Sequence, residues 1–311
     1  MDTPLPGIDT PSPQTVTFEA VMPAAMAIRA EESGINRAAL DPLAAFVLSL
    51  LAGAFVAFGA IFATTVSAGT MTTLAPDGSL VSSAALPYGI GRLLVGLAFC
   101  VGILAVIIAG AELFTGNNLV VMAWASSKVS TRDLLFNWML VFVGNFVGAI
   151  STAGLMYLTT QYTFGGGAVG LVALNTATAK ASLPFLPAFT LGIMCNALVC
   201  LAVWMCFSAR TNVDRVVTAV PPVAAFAAAG FEHCIANIYF IPFGLFIKAG
   251  APESFWKSVN KTAADFPDLT WSNFVSNLVP VTAGNIVGGS IMVAAAYWFV
   301  YLRNRPAGAA R

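Results

Sequence analysis

The sequence predicts an all-α integral membrane protein of six spans, arranged as two inverted three-helix repeats with spans two and five broken. Three observations predict it. Only 9% of the 311 residues are charged while 58% are hydrophobic, and the mean hydropathy is +0.84; a soluble domain of this size carries roughly 25% charged residues. Six apolar runs are long enough to cross a bilayer core, which takes about 20 residues each. Finally, two sets of motifs recur at fixed separations in the two halves of the chain.

In chain order, residues 1–17 hold four prolines and two aspartates, and no basic segment leads into an apolar core. This stretch is expected to be a disordered cytoplasmic tail rather than a signal peptide. Over 18–33 the pattern turns helical, with Phe18, Met22 and Met26 at i, i+4 spacing, Thr17 as a cap and Gly34 as a stop. It reads as an amphipathic helix on the membrane surface, joined by a linker that ends at 41. Residues 43–66, 134–160, 181–209 and 271–302 contain no Asp, Glu, Lys, Arg or His, and each reads as one span. The first loop, 67–87, carries Ala75-Pro76-Asp77-Gly78 and has no assigned role. Residues 304–311 form a second cytoplasmic tail.

Two runs are too long for single straight helices. Residues 93–127 are apolar except for Glu112, and 216–247 except for Glu232 and His233. At about 1.5 Å per residue either would reach roughly 50 Å, against a bilayer core of about 30 Å. Each is therefore expected to be a half-helix, a loop and a second half-helix, with breaks at 112–118 and 231–237. Six spans put both termini on one side. Alternate loops then place nine basic residues on that side and five on the other, which predicts cytoplasmic termini.

Gly110-x-Glu112-x4-Asn117 recurs as Gly230-x-Glu232-x4-Asn237, 120 residues later, and Gly144-Asn145-x2-Gly148 recurs as Gly284-Asn285-x2-Gly288, 140 residues later. The repeats are read as 43–160 and 181–303. Three spans per half force opposite orientations, and paired broken helices point to a substrate path at the repeat interface. Non-helical backbone survives at membrane depth only where it lines a cavity or is buried in protein. His233 is the only histidine, and it adjoins Glu232 inside an apolar run. A charge there costs about 2.5–3.5 kcal/mol on insertion scales, so the pair is a candidate ion or proton site. The five cysteines lie in or beside apolar runs and read as buried small hydrophobes. No metal, cofactor or nucleic-acid partner is expected.

These residues resemble the formate/nitrite transporter family. Ala111-Glu112-Leu113-Phe114-Thr115-Gly116-Asn117 is similar to its first signature, Gly230-Phe231-Glu232-His233 with Ala236-Asn237 to its second, and 278–289 to its last-span motif. The similarity runs over about 18–303. It implies an aquaporin-like fold, a homopentamer and one pore per protomer. By motif, His233, Thr115 and Asn285 are expected at the pore centre. Phe99, Ile103, Leu113, Phe114 and Phe226 are expected to form apolar constrictions. Glu112, Glu232, Asn117 and Asn237 would anchor the breaks, Glu232 through backbone amides. Lys180 would steer anions at the outer mouth.

The resemblance further implies formate as the substrate, because 237–244 is similar to the formate branch. Nitrite ranks second, and hydrosulfide or another small weak-acid anion remains open. Protons, membrane lipids and other copies of the chain are the remaining partners expected, in a bacterial inner membrane. His233 and Thr115 would donate hydrogen bonds to the anion, and histidine can trade a proton near neutral pH. A membrane enzyme is disfavoured by the single histidine and by the lack of HExxH or Cys-x-x-Cys. A water or solute channel is disfavoured by the lack of Asn-Pro-Ala triplets, and a sensor by the lack of a soluble domain.

Overall fold

A computed structural model describes residues 19–69, 73–74, 80–82 and 86–305. The expected tail 1–17, the Thr17 cap, residues 75–78 and residues 306–311 lie outside the described residues. Among the described residues the regular structure is helical apart from a short antiparallel pair of strands, β1 (Thr73–Leu74) with β2 (Leu80–Ser82), in the first loop.

The N-terminal helix differs from expectation. α1 spans Pro23–Ala38, starting where proline at the first helical position presets φ. It runs through Gly34 instead of stopping there. A side chain at 34 would meet Ala123 at 3.1 Å, so the glycine serves close packing, not termination. Met26, Ala27, Ala30, Glu31 and Gly34 form its buried face. α1 is packed onto the protein, not laid free on a lipid surface.

The unbroken spans are α2 (Pro42–Gly69), α5 (Thr131–Leu158), α7 (Phe185–Cys206) and the last span. The last begins as α11 (Trp271–Val287), loosens into a π-helix over Gly288–Ala295 and ends as α12 (Ala296–Tyr301). Sequence periodicity predicts a plain helix here. The π-turns coincide with Gly289, where a Cβ would come within 2.8 Å of Asn118 Cβ and Cys200 Sγ.

Both breaks exist, with shifted edges. Span two is α3 (Tyr88–Ala109), a loop, a 3₁₀ turn (Gly116–Val120) and α4 (Val121–Ala125). α3 is long enough to cross alone, so this span divides unevenly. Span five is α8 (Asn212–Ala229) and α9 (Cys234–Gly250), bent by 47°. Among the described residues five helices are long and apolar enough to span unaided, and six spans result if the α8–α9 pair counts as one.

One element was not foreseen. α6 (Ala168–Ala181) stands alone between spans three and four and buries Val172, Leu174 and Ala177. The expected span 181–209 therefore starts late, at Phe185.

α2, α3 and α5 pack as one group, and α7, α8 and α11 as another. The matching glycines explain the contact. A Cβ at Gly148 of α5 would land on the Leu50 carbonyl of α2, and one at Gly288 would land on the Ile193 carbonyl of α7. The groups join where α3 crosses α8, with Gly96 against the Ala224 carbonyl. Phe58 and Phe62 of α2 and Leu135, Met139 and Val143 of α5 are exposed, an apolar exterior suited to lipid or to neighbouring copies.

Candidate functional site

The breaks start at glycines for a stereochemical reason. Gly110 and Gly230 close α3 and α8 with φ of +75° and +78°, in the left-handed region. The next residues, Ala111 and Phe231, donate their N–H groups to the carbonyls of Val106 and Phe226, both at 3.0 Å. Glu112 N–H then reaches the Leu48 carbonyl and Glu232 N–H the Leu191 carbonyl. The two loops leave their helices in the same way.

An asparagine from the last span of each half secures each loop. Asn145 Oδ1 accepts from Phe114 N–H at 2.8 Å, and its Nδ2 donates to the carbonyls of Ser49 (2.7 Å) and Glu112 (2.9 Å). Asn285 Oδ1 accepts from Cys234 N–H at 2.9 Å, and its Nδ2 donates to Gly192 (2.8 Å) and Glu232 (2.9 Å). Asn285 was expected at the pore centre. Instead both its amide protons and its oxygen are spent on backbone, and it acts as a loop anchor.

The glutamates are held by side chains, not by backbone amides as expected for Glu232. Asn117 Nδ2 donates to Glu112 (2.7 Å) and Asn137 (2.9 Å), while Arg37 Nη1 approaches Glu112 to 3.7 Å and also donates to Asn117 Oδ1. Asn237 Nδ2 donates to Glu232 (2.6 Å) and Asn277 (2.8 Å), while Lys180 Nζ donates to Glu232 at 2.7 Å. Asn137 Nδ2 returns to the Arg37 carbonyl, and Asn277 Nδ2 to the Lys180 carbonyl. The networks match in their glutamates, asparagines and cations, except that Arg37 also bonds Asn117 Oδ1 while Asn237 Oδ1 has no such partner among the described residues. Lys180, expected to steer anions in a loop, is a mostly buried ion-pair partner in the last turn of α6.

The loops meet at His233 and Thr115, which are 2% and 0% exposed. His233 Nε2 lies 3.0 Å from Thr115 Oγ1. His233 also caps α9, its Nδ1 accepting the N–H of Ala236 at 3.2 Å. An accepting Nδ1 carries no proton, so the neutral ring keeps its proton on Nε2 and donates it to the threonine. The positive end of the α9 dipole points at the same place. Behind Thr115, its carbonyl accepts from Asn196 Nδ2 (3.3 Å) and Cys200 Sγ (3.2 Å).

A cavity lies on each side of this pair. The first reaches His233 past Phe99 and Phe226, with Arg92 and Lys180 on its wall. The two rings meet edge to face, 5.6 Å between centroids, and Phe226 stacks on His233 at 6.0 Å. The second is lined by Leu113, Ile103, Val199 and Val203, with Arg37 and Arg215 towards its mouth. Phe114, expected as a constriction, lines neither cavity and packs against Trp138 and Phe142.

The sequence pattern of the formate/nitrite transporter family matches residues 24–299. The chain belongs to that family. It is 41% identical over 287 residues to formate channel FocA of Escherichia coli K12, covering 92% of this chain and 96% of the relative. It is 36% identical over 281 residues to formate channel FocA of Haemophilus influenzae, covering 90% and 94%. A solved pentameric formate channel with formate bound superposes with a TM-score of 0.76 at 43% identity, over 84% of this chain and 98% of that one. A solved ion channel of the family gives 0.71 at 26% identity, over 89% and 98%.

For this family member, sequence reading left out several residues of the site. Asn137 and Asn277 are 140 apart, the separation already found for the two GNxxG motifs, and that signal would have found them. Arg37 and Lys180 are 143 apart, as are Leu48 and Leu191, so α1 and α6 open equivalent halves. The repeats therefore begin one helix earlier than 43 and 181. Asn196 had no signal, since its counterpart 143 residues earlier is Gly53.

Proposed function

We propose that this chain is a channel for small monovalent anions, with formate as its main substrate, built as a homopentamer with one pore per protomer. It resides in a bacterial cytoplasmic membrane with both termini inside. The observation that carries this reading is the His233–Thr115 pair at 3.0 Å, held between two cavities by two anchored breaks. Both relatives cited above are named formate channels, and the solved channel described as pentameric binds formate.

The geometry supports a simple sequence of events. Phe99 and Phe226 on one side, and Leu113 and Ile103 on the other, present apolar surface that resists a hydrated ion. An anion that passes them meets Nε2–H of His233 and the hydroxyl of Thr115. These two donors, with the α9 dipole, replace part of its lost hydration. An imidazolium formed when His233 takes up one proton from the cavity can pass that proton to the carboxylate and return to the neutral ring, so that the anion crosses the apolar rings as the neutral acid. Lys180–Glu232 and Arg37–Glu112 hold the loops that carry the donors.

The test is flux into proteoliposomes containing the purified protein, comparing formate, nitrite, hydrosulfide and chloride at two pH values. Formate flux above that of nitrite and chloride supports the reading. Nitrite preference assigns the chain to the nitrite branch, and no anion flux overturns the function.

A further inference from the structure

Each vestibule holds two cations, and they are not equivalent. On the His233 side, Lys180 is neutralised by Glu232 at 2.7 Å. On the Leu113 side, Arg37 is balanced by Glu112 at 3.7 Å. The second cation of each vestibule comes from the first turns of the opposite half-helix: Arg92 from α3 and Arg215 from α8. Neither has a carboxylate within 4.0 Å among the described residues. The acid next to Arg215, Asp214, is occupied by the N–H groups of Arg210 and Thr211, both at 2.9 Å.

Arg92 is also aimed. Its Nε and Nη2 donate to the carbonyls of Ala228 and Ala227, both at 2.8 Å, at the C-terminal end of α8. These bonds satisfy the Ala228 carbonyl, join the Gly230 N–H on that of Ala227, and offset the negative end of the helix dipole. They also fix the guanidinium plane beside Gly230, where a Cβ would stand 3.1 Å from Nη2. A guanidinium has five N–H donors, and two are used here. The remaining three have no acceptor among the described residues and belong to a group on the cavity wall. Arg215 is exposed at the other mouth, facing the cavity that ends at Leu113.

We propose that Arg92 and Arg215, not Lys180, are the anion-receiving residues of the two mouths. Each offers an uncompensated guanidinium that takes a small carboxylate before the apolar constriction. Lys180 and Arg37 are positioning residues for the breaks. A planar donor set suits a carboxylate better than a spherical halide, so these two arginines contribute to selection as well as to steering. The proposal rests on the anion-channel reading above.

The experiment uses the full-length protein in vesicles of a single orientation, with sodium formate as probe. Initial influx is measured against formate concentration from each face, at low and high ionic strength. Arg92→Gln is expected to raise the half-saturating formate concentration about fivefold for entry through its own mouth, to flatten the salt dependence, and to leave maximal flux within about twofold. Arg215→Gln does the same for entry from the opposite face. Arg92→Lys keeps the charge and a carbonyl donor, so it retains the salt dependence with a smaller rise. Should Arg92→Gln fail to assemble, Arg92→Lys and Arg215→Gln carry the test. Half-saturation and salt dependence that stay at wild-type values in the Gln variants overturn the proposal, as does a lysine variant whose maximal flux is lost. A wild-type protein that carries no formate overturns the parent reading instead, and this one with it.

Discussion

Arg37 and Lys180 occupy equivalent places in the two halves of the protein, each pairing with the glutamate of its own break. Arg37 Nη1 stands 3.7 Å from Glu112 and Lys180 Nζ 2.7 Å from Glu232. Each also offers its backbone carbonyl to an asparagine of the third span of its half, Asn137 or Asn277. The equivalence is imperfect in one respect with consequences. The Lys180 side chain is 16% exposed and that of Arg37 is 28%.

Removing one member of a buried ion pair leaves the other charge unpaired, at about 3–5 kcal/mol. Lys180→Met is therefore expected to destabilise the assembly by about that much, and Arg37→Met by less, because water reaches Arg37. Thermal unfolding of the detergent-solubilised protein checks the order. The double variant Lys180→Met, Glu232→Leu is expected to recover part of the loss; no recovery would mean that the pair is not the source.

The asparagine anchors should be equally demanding. Asn285→Ala removes three hydrogen bonds at about 1 kcal/mol each and strands Cys234 N–H in the core. Asn145→Ala does the same for Phe114 N–H. Both variants should lose about 3 kcal/mol and assemble poorly. An Asn285→Ala protein that assembles normally but loses selectivity would restore this residue to the pore.

His233 has two tasks that substitution can separate. His233→Asn preserves a good helix cap but lacks a ring proton to exchange. It should assemble as the wild type does and lose the rise in formate uptake on lowering external pH, which follows if the proton travels with the anion. His233→Ala should add a loss of about 1 kcal/mol from the missing cap. Unchanged pH dependence in both variants rules out the proton step.

The glycines under the helix crossings make a matched pair of tests. Gly148→Ala and Gly288→Ala each place a methyl on a carbonyl of the neighbouring span, at Leu50 and Ile193. Overpacking of this kind costs about 1–3 kcal/mol. The two variants should lose similar stability by the same unfolding measurement. A large difference would mean that the π-helical segment beginning at Gly288 yields where α5 cannot.

The sequence by itself determined the spans, the two breaks and the doubling of the fold. Those features follow from local rules: uninterrupted hydrophobicity, glycines at φ of +75° and +78°, and glutamates inside apolar runs. His233 and Thr115 were also legible, through motifs that stay intact in the chain. Only the tertiary structure decided what those residues touch. Lys180 and Glu232 are 52 positions apart and meet because α6 folds back beside the break, so a residue read as an anion-steering charge at the outer mouth is an ion-pair partner. Asn285 and Phe114 lie in motifs that suggest the pore, yet hydrogen bonding turns one into an anchor and ring packing draws the other into the core. Composition and spacing report where a chain can be buried. Which buried polar groups find each other is settled by helix packing, since at membrane depth an unpaired donor or charge has no water to fall back on.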